Sequence, residues 1–442
     1  MPLPEAGGAA AAPSPPKLLA VSFSFPPLAY PRSIQVARLL KYTRLPTVVV
    51  CADERGARRD PTLEPDAEAR LEAVLRVPFS VTRARRYANA LAYRLSPALW
   101  ERSVRRPDEY ARWKRDALAA FGRYARDHAY SPDALATFSQ PATGHLVGLE
   151  LKRRLGVPWV AHFSDPWVDN PFHRSTAPTR DFNLALEREV IGAADRLVFT
   201  SRETVELVMR KYPAEWARKA SVLPQCFDPA LFGARGRRDR EGGPLVVRYV
   251  GNFYGGRTPA PLLRALEALR AHDPASLAGV TFELVGVTDE SVLEGAAALP
   301  EGLVSARPPV AYAESLRLMT EADGLLIIDA PAEVSVFLPS KLIDYAGAAR
   351  PVMGLTPEGA AASLIRRLGG RVADPSDIAA GAETLRDFVG ELRRRAESGD
   401  AGAWGDPTVR RAYEATHLAR EFEKLILGML GRALISEGSA DE

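Results

Sequence analysis

From Lys17 onward the chain alternates short runs of β-branched or apolar residues with longer stretches of helical periodicity, and few folds accept that pattern. Parallel strands need crossovers, and helical crossovers cover both faces of the sheet. Strands are expected at Leu18 to Phe23, Thr47 to Cys51, Ala134 to Phe138, Trp159 to Phe163, Arg196 to Thr200 and Ser221 to Leu223. After a charged, glycine-ended stretch a second series begins: Leu245 to Val250, Thr281 to Val285, Leu303 to Ser305, Gly324 to Ile328, Pro351 to Leu355 and Arg371 to Ala373. The expected class is therefore α/β, with two Rossmann-like, doubly wound parallel sheets facing a central cleft. Residues 1–16 read as a tail, 17–232 as the first domain, 233–243 as a linker and 244–408 as the second domain. A helix over 409–432, apolar at Leu418, Phe422, Leu425, Ile426 and Met429, is expected to cross back to the first domain, and 433–442 read as a second tail.

Composition narrows the classes of function. The 442 residues are 46% hydrophobic, enough for two cores, and 58 basic residues nearly cancel 55 acidic ones. A net charge of +3 gives no general case for nucleic acid as a partner. Cys51 and Cys226 are too few for a disulfide framework or thiolate cluster and fit the cytosol, so a cytoplasmic location is expected. The longest apolar run, Gly324 to Leu338, is broken by Asp329 and Glu333, so no membrane-spanning helix is expected.

Ligands of doubly wound sheets bind at the carboxyl ends of the strands, and two segments there carry chemistry. In Phe337-Leu338-Pro339-Ser340-Lys341-Leu342-Ile343-Asp344-Tyr345, Pro339 and Ser340 start a helix whose unpaired N–H groups suit a phosphate. Ser340 is expected to cap that helix, and Asp344, one turn on, to take both hydroxyls of a ribose-like diol. In Tyr249-Val250-Gly251-Asn252-Phe253-Tyr254-Gly255-Gly256-Arg257, a strand enters a glycine-rich turn that brings Arg257 to the same phosphate. Gly-x-Gly-x-x-Gly does not follow this strand, which speaks against a nicotinamide dehydrogenase.

These two segments fall in order with Phe25-Pro26-Pro27, Ser164-Asp165-Pro166-Trp167, Ala194-Asp195-Arg196, Val222-Leu223-Pro224-Gln225-Cys226-Phe227-Asp228, Leu284-Val285-Gly286 and Ala322-Asp323. Over about residues 17 to 430 the chain resembles a family 4 glycosyltransferase of GT-B architecture, in the bacterial polysaccharide branch. The resemblance implies transfer of a sugar from a nucleotide diphosphate sugar to a saccharide or lipid-linked acceptor, with retention, without a metal and with no cofactor. Gly251, Asn252, Gly256, Arg257, Pro339, Ser340, Lys341 and Asp344 are then expected on the donor, and Pro27, Arg32 and His145 on the acceptor. Asp165, His162 and Arg257 are expected at the reacting carbon. No Asp-x-Asp occurs, so arginine and a helix end would meet the diphosphate.

The chain departs from the family pattern at three places. Asn252 stands where an arginine is common, Val336 where the first of two glutamates is common, and Ser164 where a histidine is common. These substitutions motivate an alternative, a non-catalytic GT-B protein that binds a nucleotide sugar or a partner in polysaccharide assembly; a nucleotide-sugar epimerase is a third reading. His173 and Trp167 read mainly as structural, as does Tyr345.

Charge is also unevenly spread. Residues 81–130 hold twelve basic and five acidic residues, a formal +7. Tyr87, Leu91, Leu95, Leu99 and Trp100 interleave there with Arg83, Arg86, Arg94 and Arg102, a pattern suited to an anionic membrane surface or to a solvated helical insertion.

Overall fold

The computed structural model describes residues 14–63, 67–81, 83–104, 106–172, 175–233, 243–253, 256–286, 296–400 and 402–432. Most of the two tails and of the linker, His173, and Tyr254 with Gly255 of the glycine turn lie outside the described residues. Thirteen strands form two sheets among the described residues, and every strand pairing is parallel.

The first sheet holds β1 (Leu18–Ser22), β2 (Thr47–Glu54), β3 (Ala73–Phe79), β4 (Ala134–Phe138), β5 (Trp159–Phe163), β6 (Arg196–Phe199) and β7 (Ala220–Val222) in the order β3-β2-β1-β4-β5-β6-β7. Its central strands β1, β4 and β5 are buried along their whole length, as expected of strands covered on both faces. The edge strand β3 is the one that sequence reading missed. Ala73-Val74-Leu75-Arg76-Val77-Pro78-Phe79 carries Arg76 and Pro78, which a central strand excludes but an edge tolerates, and it pairs with β2 from Val48 to Glu54.

The second sheet holds β8 (Leu245–Val250), β9 (Val280–Val285), β10 (Val304–Arg307), β11 (Gly324–Ile328), β12 (Val352–Leu355) and β13 (Arg371–Ala373) in the order β10-β9-β8-β11-β12-β13. In each sheet the winding direction reverses once, between β1 and β4 and between β8 and β11. Crevices open at such reversals, and here the two crevices face one another.

The helical pattern at the carboxyl end is interrupted. It forms Pro407–Arg411 and Ala415–Met429, separated where the Phe227 N–H donates to the Tyr413 carbonyl at 3.0 Å and the Ala415 N–H to the Phe227 carbonyl at 2.8 Å. The second helix packs Leu418, Phe422 and Ile426 among Leu18, Ala20, Leu39 and Leu40, so the core beneath the first sheet is completed by the far end of the chain. Glu423 on this helix accepts from Thr43 Oγ1 at 3.3 Å and from the Arg44 N–H.

Hence Phe422→Ala, at a fully buried position, is expected to destabilise the protein by about 3–5 kcal/mol. Denaturant unfolding checks this; a loss within the range of surface substitutions would mean that the helix is not part of the first core.

Candidate functional site

Two cavities lie side by side in the cleft. The first, about 730 Å³, runs from the loops after β8, β9 and β11 to the first-domain residues Gln35, Arg38, Arg58 and Arg59. The second, about 660 Å³, is walled by Arg32, Gln140, Asp165, Phe172 and Gln225 of the first domain and by Phe337 and Leu338 of the second. Pro31, Gln35, Arg257, Pro339 and Ser340 border both, so the helix start and Arg257 stand at the junction.

The helix runs from Ser340 to Ala348, with Pro339 rather than Ser340 in the capping position and no side-chain cap. The capping expectation for Ser340 is thereby corrected: the extended backbone of Pro339 lets Ser340 become the first helical residue. The Ser340 and Lys341 N–H groups thus belong to the turn that has no intrahelical partner.

Arg257 is buried, and its Nε donates to Asp329 Oδ1 at 2.5 Å. Its guanidinium also lies over the Phe172 ring, 5.3 Å from the centroid. Asp329, placed by the end of β11, additionally accepts from Thr356 Oγ1 at 3.2 Å. Sequence reading treated Asp329 only as an interruption of an apolar run. An acid directly after a fully buried strand was the available signal.

Lys341 extends beneath Gly251, where its Nζ donates to the Tyr249 hydroxyl at 2.5 Å. Gly251 has φ 139°, and a Cβ there would stand 2.7 Å from Lys341 Nζ, so glycine is required both by backbone shape and by the lysine. Burial, reinforced by the neighbouring Arg257 and opposed by Asp329, pushes the Lys341 ammonium down to about 7. Asn252, also in the first cavity, brings no charge, whereas Lys341 supplies one beside its neighbour Gly251. Gly256 is exposed and lines neither cavity.

Asp344 lines the first cavity but is engaged across the cleft. Arg38 Nη2 lies 2.8 Å from its Oδ1, and the Tyr312 hydroxyl donates to the same oxygen at 3.4 Å. Both of these contacts fall on Oδ1, so a diol accepted by this carboxylate, as the sequence suggests, would meet Oδ2. Burial raises the Asp344 carboxyl, and Arg38 opposes that rise. Val336 is buried, and its carbonyl accepts from Ser201 Oγ at 2.8 Å and Thr204 Oγ1 at 3.0 Å, a second tie between the domains.

On the other side, Asp165 lines the second cavity and accepts from Ser164 Oγ at 2.8 Å. Arg32 lines it too, donating from Nη2 to His162 Nδ1 at 3.0 Å and to the His162 carbonyl at 3.1 Å. Arginine cannot accept, so Nδ1 is the unprotonated ring nitrogen. His162 is buried behind Arg32 and borders neither cavity; burial, then Arg32, holds its pKa well below the ordinary value. His162, expected at the reacting carbon, instead lies behind Arg32 and holds it by two contacts.

His145 is corrected more fully. It has no exposed surface, and its Nδ1 meets Thr137 Oγ1 at 2.7 Å while its ring packs on Phe163. Burial drives it down to about 3, so it is a neutral core residue. Pro27 is also buried off both cavities, its carbonyl accepting from the Asp60 N–H at 2.8 Å. Tyr345 belongs to the core, accepting from the Val250 N–H at 2.9 Å, and Trp167 packs on the core of the first sheet.

Residues 35–226 match the family model described as a glycosyl transferase 4-like domain. The D-inositol 3-phosphate glycosyltransferase of Streptomyces avermitilis is 29% identical over 282 residues, which are 59% of this chain and 59% of that protein. Among solved structures, Anabaena HepE in complex with UDP and glucose superposes with a TM-score of 0.62 at 14% identity, covering 93% of this chain and all of that one. The E. coli trehalose-6-phosphate structure bound with UDP-2-fluoro glucose gives a TM-score of 0.60 at 13% identity over 93% of this chain and 99% of that chain. Residues 35–226 thus resemble a glycosyl transferase 4-like domain, and the chain has the GT-B fold.

One expected outcome comes from Lys341. Near pH 7 the free protein holds this side chain partly deprotonated, and a diphosphate favours the ammonium, so binding takes up a proton. Affinity for a nucleotide sugar, whose diphosphate does not titrate there, is expected to fall as pH rises above about 7, approaching tenfold per unit, and to level off below. Calorimetry in buffers of different ionisation enthalpy counts the proton. A slope unchanged in Lys341→Gln would assign it to another group.

Proposed function

We propose that this chain, a glycosyl transferase 4-like protein on the GT-B frame, transfers a sugar from a nucleotide diphosphate sugar in the first cavity to a saccharide or lipid-linked acceptor in the second. The observation that carries this reading is the junction itself: two cavities meet at Arg257, Pro339 and Ser340. A donor whose diphosphate rests on the Ser340 helix start, Lys341 and Arg257 presents its anomeric carbon toward the second cavity. The nucleoside extends toward Val310, Tyr312 and Asp344.

In this mechanism the helix end and two cations hold the charge that develops on the leaving diphosphate. The leaving phosphate takes the proton of the attacking hydroxyl on the same face, so the reaction retains configuration and requires neither a carboxylate nucleophile nor a divalent ion. Asp165, with Arg32 beside it, orients the acceptor. The UDP complexes of the structural neighbours make UDP-sugars the first donors to try.

We also assign an anionic membrane surface, on the cytoplasmic side, as the place of work. No helix among the described residues is long and apolar enough to cross a membrane. The helices Arg83–Leu95 and Pro97–Val104 do present Tyr87 and Leu95 about three-quarters exposed, with Leu91 and Tyr93 also exposed. Trp100 meets Tyr93 edge-on at 5.3 Å. The side chains of Arg83, Arg86 and Leu99 lie outside the described residues.

Thermal-shift screening with UDP-, GDP-, ADP- and dTDP-sugars identifies the donor, and calorimetry then tests the junction. Arg257→Ala is expected to weaken donor binding by about 2–3 kcal/mol, the range for a charge-assisted hydrogen bond. Sugar transfer by the native chain is expected to persist in EDTA. Unchanged affinity in a folded Arg257→Ala protein would move the diphosphate elsewhere, and loss of transfer restored by magnesium would overturn the metal-free mechanism.

For the surface, flotation with anionic vesicles at low salt is expected to carry the protein upward, each nearby cation contributing about 1 kcal/mol. Leu91→Glu with Leu95→Glu is expected to release it. Retention in the soluble fraction at low salt would make the helical pair a solvated insertion.

A further inference from the structure

One connection behind the cleft carries residues of both cavities. Between β5 and the helix Ala177–Ala193 the chain delivers Asp165 and Asn170 to the second cavity and Phe172 to the face of Arg257. Phe172 also stacks on Phe337 of the second domain, with centroids 4.7 Å apart and an interplanar angle of 11°.

The connection is held from behind by a buried acid. Glu187, on that helix, has no exposed surface. With Thr179 and Asn183 it forms a stripe of buried polar residues four apart, on a helix face that apolar side chains would ordinarily fill. A carboxylate out of water is tolerated where donors converge on it. The Val168 N–H donates to Oε2 at 3.0 Å, the Tyr212 hydroxyl to Oε1 at 2.6 Å, and Lys211 Nζ also to Oε1. Lys211 Nζ lies 2.6 Å from Asp169 Oδ2 as well, so one lysine ties the acid of the helix to an acid of the connection. The far end is held in the same manner, since the buried Glu101 accepts from the Thr176 N–H at 2.9 Å.

Phe172 is where this anchoring reaches the first cavity. Asp329 ties Arg257 through Nε, at one edge of the planar cation. An edge contact opposes sliding more than tilting, whereas a ring across the face, 5.3 Å away, opposes tilting and adds cation–π attraction. Phe172 is 41% exposed, so burial alone does not hold it. Its place depends on the Phe337 ring and on the clasp at Val168 and Asp169.

We propose that Glu187 is a positioning residue: by clasping Val168 and, through Lys211, Asp169, it sets Phe172 against Arg257 and keeps that arginine in the orientation that meets a diphosphate. The inference rests on the transferase reading, in which Arg257 holds the donor.

Calorimetry with UDP, or whichever nucleoside diphosphate the donor screen selects, reads the effect without an acceptor or turnover. Glu187→Ala is expected to weaken binding by about three- to tenfold, the scale of one cation–π contact, and to speed deuterium exchange in peptides containing Val168. In a Phe172→Ala background the same change is expected to leave affinity within about twofold, because the ring through which Glu187 acts is gone. Tyr212→Phe removes a donor from the same carboxylate without touching the connection. It is expected to lower the melting temperature while UDP affinity and exchange at Val168 stay as in the native chain. Should Glu187→Ala not fold, Glu187→Gln takes its place: one amide oxygen then serves three donors, and a weakening of about threefold is expected.

A folded variant at position 187 that binds UDP as tightly as the native chain overturns the proposal. So does a loss that persists in full after Phe172→Ala, or an equal loss in Tyr212→Phe, which would reduce Glu187 to general stability. A native chain that binds none of the nucleoside diphosphates defeats the transferase reading instead; unchanged exchange at Val168 in Glu187→Ala would then overturn the clasp as well.

Discussion

The buried pair of Arg257 and Asp329 organises the centre of this molecule. A guanidinium with 7% of its surface exposed loses most of its hydration, and a carboxylate 2.5 Å away offsets part of that cost. Asp329 is fixed by the end of β11, while Arg257 arrives from the glycine turn after β8, so the pair joins the two strands at which the second sheet reverses. Lys341 draws on the same carboxylate and is pushed down by the same arginine. Two cations thus share one buried acid, and the region accepts an anion more readily than it accepts another proton.

Contacts between the domains repeat this economy of buried charge. Arg38 and Asp344 meet with both side chains less than a tenth exposed, and the Arg38 guanidinium also lies over the Tyr312 ring at 5.3 Å. Removing either partner would leave an unpaired buried ion, which costs far more than a surface pair contributes. The pair therefore holds the registration of the cleft, helped by Ser201 and Thr204 on the Val336 carbonyl and by Arg58 on the Val310 carbonyl at 3.1 Å. The carboxyl-terminal helix anchors the other end of the same arrangement by completing the first core. Relative movement of the two sheets must break polar contacts on one side while the helix preserves apolar ones on the other.

Much of this was legible in the sequence because it is local. The alternation of runs and helices located twelve of the thirteen described strands, and Pro339, Ser340, Lys341 and Arg257 were visible as a helix start and a glycine turn. The remainder depends on partners far apart in the chain. Nothing near Asp344 announces Arg38, and nothing near Arg257 announces Asp329. The histidines show the reverse difficulty. His162 and His145 sit where strand and helix ends suggest exposure, yet the helix Thr143–Leu155 and the side chain of Arg32 bury them. One polar contact each, Thr137 for His145 and Arg32 for His162, accompanies this burial, so a histidine's place in a sequence does not distinguish a core residue from a ligand.

Charge is divided unequally between the two cavities, and that division gives the site a direction. The first cavity has Arg38, Arg58, Arg59, Arg257 and Lys341 against Asp60, Asp329 and Asp344, whereas in the second Arg32 and Arg257 face Asp165 and Glu109 beside four carboxamides. Arg257 and the Ser340 helix start lie on the boundary between them. In the transfer proposed above, a group leaving toward the first cavity with negative charge moves toward the side where cations outnumber acids. Neither cavity alone has that property. It follows from bringing the carboxyl ends of two sheets together, so the polarity of the transfer proposed above rests on the domain arrangement rather than on any single side chain.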